Sequence, residues 1–193
     1  MEIPPNSAAP ARFVAALESI RAGRYPRSIA LEEIPAPTRA AAFAVALEAR
    51  PAATAELDEP ATGSFVVLHE PGGHVVWDGD FRIVTVAKAG LEPELGEDPF
   101  VGEVAWSYLA EALEMESLPC SQLAGTVTRT VSESFGALRS RGHRVGVEVR
   151  ASWTPSGPEI GPQLAAWLRF LAQLGGAEPL PPGVSALRPA APG

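Results

Sequence analysis

Residues 74–84, HVVWDGDFRIV, set Asp78 and Asp80 on either side of Gly79. Two carboxylates this close could act as an acid–base pair, or hold a cation if further oxygen ligands joined them. Glu70 and His74 are close enough in sequence to belong to such a small-ligand or hydrolytic site. The same spacing has a simpler cause. Asp-Gly between two apolar runs is a strong hairpin signal, because both central residues of the tight turn need positive φ. On that reading Asp78 is a turn residue, PGG at 71–73 is a second turn, and Trp77 and Asp80 face each other across the strands.

The other groups able to do chemistry are few. The histidines are His69, His74 and His143, and Cys120 is remote from all three in sequence. A zinc site wants three or four ligands at short spacing. His69 and His74, converging across the PGG turn, would supply two, so no metal and no cofactor are expected. Ser132 and Ser134 sit in SESFG, which lacks the glycine pattern of a nucleophile elbow. PGGH lacks the spacing and the lysine of a phosphate loop. No residue is assigned a catalytic role.

The most suggestive charged stretch is RSRGHR, with Arg139, Arg141, His143 and Arg144 in a predicted hairpin loop. Such a loop could contact phosphate or an acidic partner, with Arg129 and Arg150 extending it over an exposed sheet face. Glu133 and Glu148 are near enough to neutralise it. The chain carries 15 basic and 23 acidic residues, a net charge of −8, which argues against nonspecific binding to nucleic acid or anionic membranes.

The length of 193 residues fits one domain with tails. Its 20 prolines cluster near residues 4–10, 35–60 and 179–192, which predicts irregular ends and an irregular internal link. A single cysteine excludes a disulfide within the chain and suits a reducing cytoplasm. There is no run of 18 apolar residues to span a membrane, and the start lacks the basic end and long apolar core of a signal peptide. The organisation expected is a disordered segment at 1–9, one α+β domain at 10–176, and a proline-rich tail at 177–193 whose Leu180, Val184 and Leu187 could dock on the body.

Periodicity supplies the elements that position these residues. Phe13, Leu17 and Ile20 predict a helix over 10–23, and Phe43 and Leu47 a second over 39–49, capped by Thr38. Residues 50–63 read as a linker. Strands follow at SFVVLH, HVVW and DFRIVTVA. Asp98 and Pro99 start a helix that runs to about Glu116 and buries Val101, Val104, Tyr108 and Ala112. Two further strands follow: one within QLAGTVTRTVSESFG (122–136) with Thr126, Thr128 and Thr130 on one face, the other being VGVEVRASW. In VGVEVRASW the odd positions Val145 to Trp153 face the core, while Glu148 and Arg150 face water. Leu164, Trp167, Leu168, Leu171 and Leu174 make the stripe of a last helix. The fold predicted is α+β, an antiparallel sheet of about five strands with helices packed on one face, in the order α-α-βββ-α-ββ-α. The ββα units at 64–116 and 122–174 hint at an internal repeat, with Trp106 falling on Trp167.

Taken together, LEEIPAPTR, ATGSFVVLHEPGG, WDGDFR, AGTVTR, ESFG and EVRASWTP resemble an uncharacterised actinobacterial family, the domain of unknown function numbered 3000, over about residues 8–190. The resemblance implies a cytoplasmic protein, often encoded beside a ribonuclease D-like gene, and no activity that could be carried over. The element order is also similar to secretion-chaperone-like folds, which often dimerise and bind polypeptides.

The reading that follows is a non-enzymatic interaction protein with an exposed polar sheet face. Its candidate surface is Trp77, Asp78, Asp80, Arg82, Arg129, Glu148 and Arg150, with Trp77 and Trp153 as aromatic anchors; the alternative is that they are core residues, which suits Trp153 at least as well. Its partner is another protein, and a homodimer is a second expectation. The alternative is an accessory of RNA metabolism that binds RNA or a nuclease through residues 139–144.

Overall fold

The computed structural model describes residues 9–51, 61–96, 98–115 and 118–176. In chain order these form α1 (Ala11–Ala22), β1 (Ile29–Ile34), β2 (Phe43–Pro51), β3 (Thr62–His74), β4 (Gly79–Leu91), α2 (Val101–Met115), β5 (Cys120–Glu133), β6 (His143–Pro155) and α3 (Ile160–Leu174). Short 3-10 turns lie at Pro93–Gly96 and Gly136–Arg141. The strands make one antiparallel sheet in the spatial order β1-β2-β3-β4-β6-β5. The α+β class agrees with the sequence. The sheet has six strands rather than about five, and the order is α-ββββ-α-ββ-α. The predicted start at 1–8, most of the proline-rich link and the C-terminal tail fall outside the described residues.

The largest departure is β2, where a helix was predicted over 39–49. FAVALEAR satisfies both periods. Phe43 and Leu47 are four apart, and alanine favours helix. Phe43, Val45, Leu47 and Ala49 also alternate with Ala44, Ala46, Glu48 and Arg50. Pairing with β1 on one side and β3 on the other settles the conflict, since the strand closes two backbone ladders at once.

The β3–β4 hairpin also differs. PGG does not turn the chain. Between the pairs His69↔Phe81 and His74↔Gly79, β3 advances five residues while β4 advances two, so Pro71, Gly72 and Gly73 form an irregular bulge. The turn itself is Val75–Asp78, closed by Trp77 and Asp78 amides donating to the His74 carbonyl at 3.0 and 3.1 Å. Asp78 takes the left-handed conformation, φ 56°, which is why a short polar residue stands there.

All three helices cover one face. Phe65, Phe81, Ile83, Val147, Val149 and Trp153 project from that face into a core completed by Leu164, Trp167, Leu168 and Leu171 of α3. Full burial of each such side chain contributes roughly 1.5–3 kcal/mol. The α3 stripe is as the sequence predicts. In α2 the buried residues are Ala105, Leu109, Ala112 and Leu113, whereas Val104 is 44% exposed. Ala112 is buried as predicted, and Val101 and Tyr108 pack half-buried against the core, so the apolar pattern located the buried side in part and misplaced Val104.

The helices exchange hairpins. α2 follows β3–β4 yet packs on β5 and β6, and α3 follows β5–β6 yet packs on β3 and β4. Each carries a tryptophan onto a strand glycine. A Cβ on Gly125 would stand 2.6 Å from Trp106 Cζ3, and one on Gly63 would stand 2.8 Å from Trp167 Cζ2. Only glycine lets the indoles sit this close to the sheet.

Candidate interaction surface

With the helices on one side, no helix among the described residues lies across the other face of the sheet. The register shows which residues share it, because directly opposed residues point the same way. Ile34 opposes Ala46, Ala46 opposes Val66, and Val66 opposes Val84, so an apolar row crosses β1 to β4. Ser152 and Ala124 continue it across β6 and β5. Val84 is 37% exposed although it lies on a central strand.

Charged groups flank this row. Glu148 accepts Lys88 Nζ at 2.9 Å and Arg150 Nε at 2.5 Å, and Arg50 pairs with Glu48. The hydrogen bonds from Lys88 and then Arg150 hold the Glu148 carboxyl below the ordinary carboxylate range. A lowered folded-state pKa means a contribution complete above the ordinary value of 4.5 and lost as the pH falls through the lowered one. Glu148→Gln should therefore cost a little stability at neutral pH and nothing in strong acid, with thermal melts at the two pH values as the check. The effect is small because water screens these groups.

On the other side of the row lies Arg82. Its guanidinium donates to Thr154 Oγ1 at 3.0 Å and Ser152 Oγ at 2.6 Å. Thr154 in turn donates to the Trp77 carbonyl at 2.5 Å. Burial lowers the Arg82 pKa, but arginine stays charged at any physiological pH. Among the described residues no carboxylate pairs with it. The arrangement is a fixed cation supported by two hydroxyls beside an apolar row.

Of the predicted surface, Arg82, Glu148 and Arg150 are thus brought together on one face. The others are not. Arg129 points to the helical side, where its Nη1 donates to the Asp98 carbonyl at 2.5 Å. Asp80 is turned to α1 and accepts Arg12 Nε at 2.5 Å and Nη2 at 3.1 Å. Trp77 and Asp80 do not face each other, because the turn begins two residues before Trp77. Trp77 stacks on His74 with ring centroids 4.5 Å apart. Trp153 is fully buried and donates to Gln163 Oε1 at 2.8 Å, which makes it core rather than anchor.

Among the described residues, His74, Asp78, Asp80 and Glu70 of the hairpin are not brought together. His74 is exposed, Asp78 occupies the turn, and Asp80 is held by Arg12. His69 does not meet His74. It is 1% exposed and lies among Phe13, Phe43 and Phe81, stacked 4.3 Å from the last. Its Nδ1 lies 3.0 Å from the Asp80 carbonyl, which can only accept, so this nitrogen carries the proton. Among the described residues no group of three or more His, Cys, Asp and Glu side chains is placed to hold a metal ion. Cys120 is partly buried, and that burial raises its thiol pKa, which disfavours the reactive thiolate.

The basic loop is divided. Arg139 is exposed in the 3-10 turn. His143 and Arg144 line a cleft of about 1020 Å³ between the β4 and β6 ends, α2 and the end of α3. Leu91, Val101, Ala105, Val145 and Leu174 form much of its wall. Sequence reasoning missed this cleft, since its walls come from distant segments. It also missed the apolar row, although Val84 and Val86 interrupt the charged face of DFRIVTVAK with apolar side chains.

These features define an α+β protein whose described helices all lie on one face of a six-stranded antiparallel sheet. The chain belongs to the protein family of unknown function DUF3000, whose model matches residues 9–185. No curated protein matches it. No solved structure matches it either, and the expected likeness to secretion chaperones gains no support from that comparison. Among the described residues no helix is long and apolar enough to cross a membrane.

Proposed function

We propose that the protein is a non-catalytic, cytoplasmic binding module that docks another polypeptide on the open face of its sheet. The observation that carries this is Arg82, desolvated, oriented by Ser152 and Thr154, and set beside the Ile34–Ala46–Val66–Val84 row. A pre-ordered arginine next to apolar area is the composition of an interface hot spot. The complementary segment presents apolar side chains followed by a carboxylate, which meets Arg82 in a paired hydrogen-bonded contact. The single cysteine suits the reducing compartment of this reading.

Affinity capture from a nuclease-treated lysate of the source organism tests it, comparing wild type with Arg82→Gln and Val84→Glu. The expected result is a partner retained by wild type and weakened at least about tenfold by either substitution. A partner indifferent to both substitutions contradicts the assignment of the surface. A partner lost on nuclease treatment, and lost again in Arg139→Ala/Arg141→Ala/Arg144→Ala, would replace it with the RNA reading.

A further inference from the structure

The two edges of the sheet are unlike. β1 is six residues long, carries Glu32 and Glu33, and runs into Pro35 and Pro37. Short length, charge and proline are the ordinary protections of an edge strand. β5 has fourteen residues, no proline, and only Arg129 and Glu133 as charges. Its irregularity is confined to Ser121–Ala124, so the rest presents a regular outer edge. Among the described residues no strand pairs with that edge.

The same end of the molecule gathers exposed apolar side chains. Val131 is 50% exposed, Phe135 70% and Leu138 50%. Beyond β5, Phe135 keeps an extended backbone, φ −124° and ψ 165°, so the strand can be prolonged to it.

We propose that two copies of the chain pair antiparallel along this edge, about a two-fold axis through Val131. A two-fold axis normal to the sheet matches only residues of like parity, so few registers need comparison. Centred on Val131, Val131 meets itself, Arg129 meets Glu133 of the second copy, and Val127 meets Phe135. On the opposite face Thr130 meets Ser132 and Thr128 meets Ser134. Every pair is apolar with apolar, cation with anion, or hydroxyl with hydroxyl. Centring on Arg129 sets arginine against arginine. Centring on Thr130 sets Val127 against Glu133. Opposed charges and apolar pairs are the units that stabilise a sheet. The dimer has all its helices on one side and joins the two open faces into one surface, while leaving each Arg82 uncovered.

Sedimentation velocity of the full chain between about 1 and 100 µM tests this by mass action. Wild type should dimerise within that range. Arg129→Glu should raise the dissociation constant about tenfold, since it sets two like-charged pairs across the axis. Arg129→Glu/Glu133→Arg should return it to near the wild-type value. Val131→Lys, at a half-exposed position, should give a folded monomer. A wild type that stays monomeric throughout the range overturns the proposal. So does a dimer unaffected by Arg129→Glu and Val131→Lys, or a double reversal that fails to restore association.

Discussion

Trp167→Ala is expected to lower the free energy of unfolding by about 3–5 kcal/mol, the range for truncating a buried tryptophan. Trp167 has no exposed surface, packs against Phe65 with ring centroids 5.5 Å apart, and sits over Gly63 of β3. It is where α3, the central helix of the layer, meets the sheet. Its removal leaves a cavity that neighbours cannot close, because Gly63 has no side chain to move in and Phe65 is already wedged against Trp153. Whole domains are stable by only about 5–15 kcal/mol, so this one change should bring the chain close to unfolding. Urea denaturation followed by circular dichroism reads it as a lower midpoint at an unchanged slope. A loss below about 1 kcal/mol would mean that α3 is not seated as described.

Gly125→Val is expected to cost about 3 kcal/mol, at the upper end for overpacking. The new Cβ would collide with the Arg150 carbonyl and lie 2.6 Å from the Trp106 ring. The carbonyl belongs to β6, an interior strand paired on both sides, and cannot retreat without breaking its ladder. The indole could move only by lifting α2 from β5. Gly157 supplies the control, since a Cβ there meets nothing within 4 Å and Gly157→Ala should be nearly neutral. The same denaturation experiment ranks the two. Equal, small losses would remove the steric argument for glycine at position 125.

Both positions bear on what the sequence discloses. Trp106 and Trp167 align when one ββα unit is shifted onto the other, and Gly63 and Gly125 fall close to the same shift. The sequence suggests matching units, but only the structure shows that each tryptophan lies on the other unit's glycine. VGVEVRASW and the α3 stripe were legible because each has one period and one buried face. FAVALEAR was not, because alanine-rich alternation fits a helix until neighbouring strands claim its backbone. The hairpin was half legible. Asp78 marks the turn correctly through its left-handed backbone, but the bulge at Pro71–Gly73 depends on how far β3 runs beside β4, which no local pattern encodes.

The candidate site was less legible than the fold. Arg82, Glu148 and Arg150 share a face because their strands are neighbours, and the order β3-β4-β6-β5 is a long-range fact. Arg129 was misplaced for a simple reason: it shares the parity of Val127 and Val131, and opposes Val147, so it lies on the helical side rather than with its threonine neighbours. Asp80 looked free for chemistry because α1, which supplies Arg12, lies 68 residues earlier.

The central claim is that the uncovered face of the sheet receives a partner. Replacing Val84 with a photoactivatable phenylalanine analogue, and Glu111 on α2 as the control, tests it in the source cells. Cross-linking from position 84 to one defined polypeptide, absent from position 111 and suppressed by Arg82→Gln, is the result expected. Cross-linking from position 111 with none from position 84 would contradict the claim and move the interaction to the helical side.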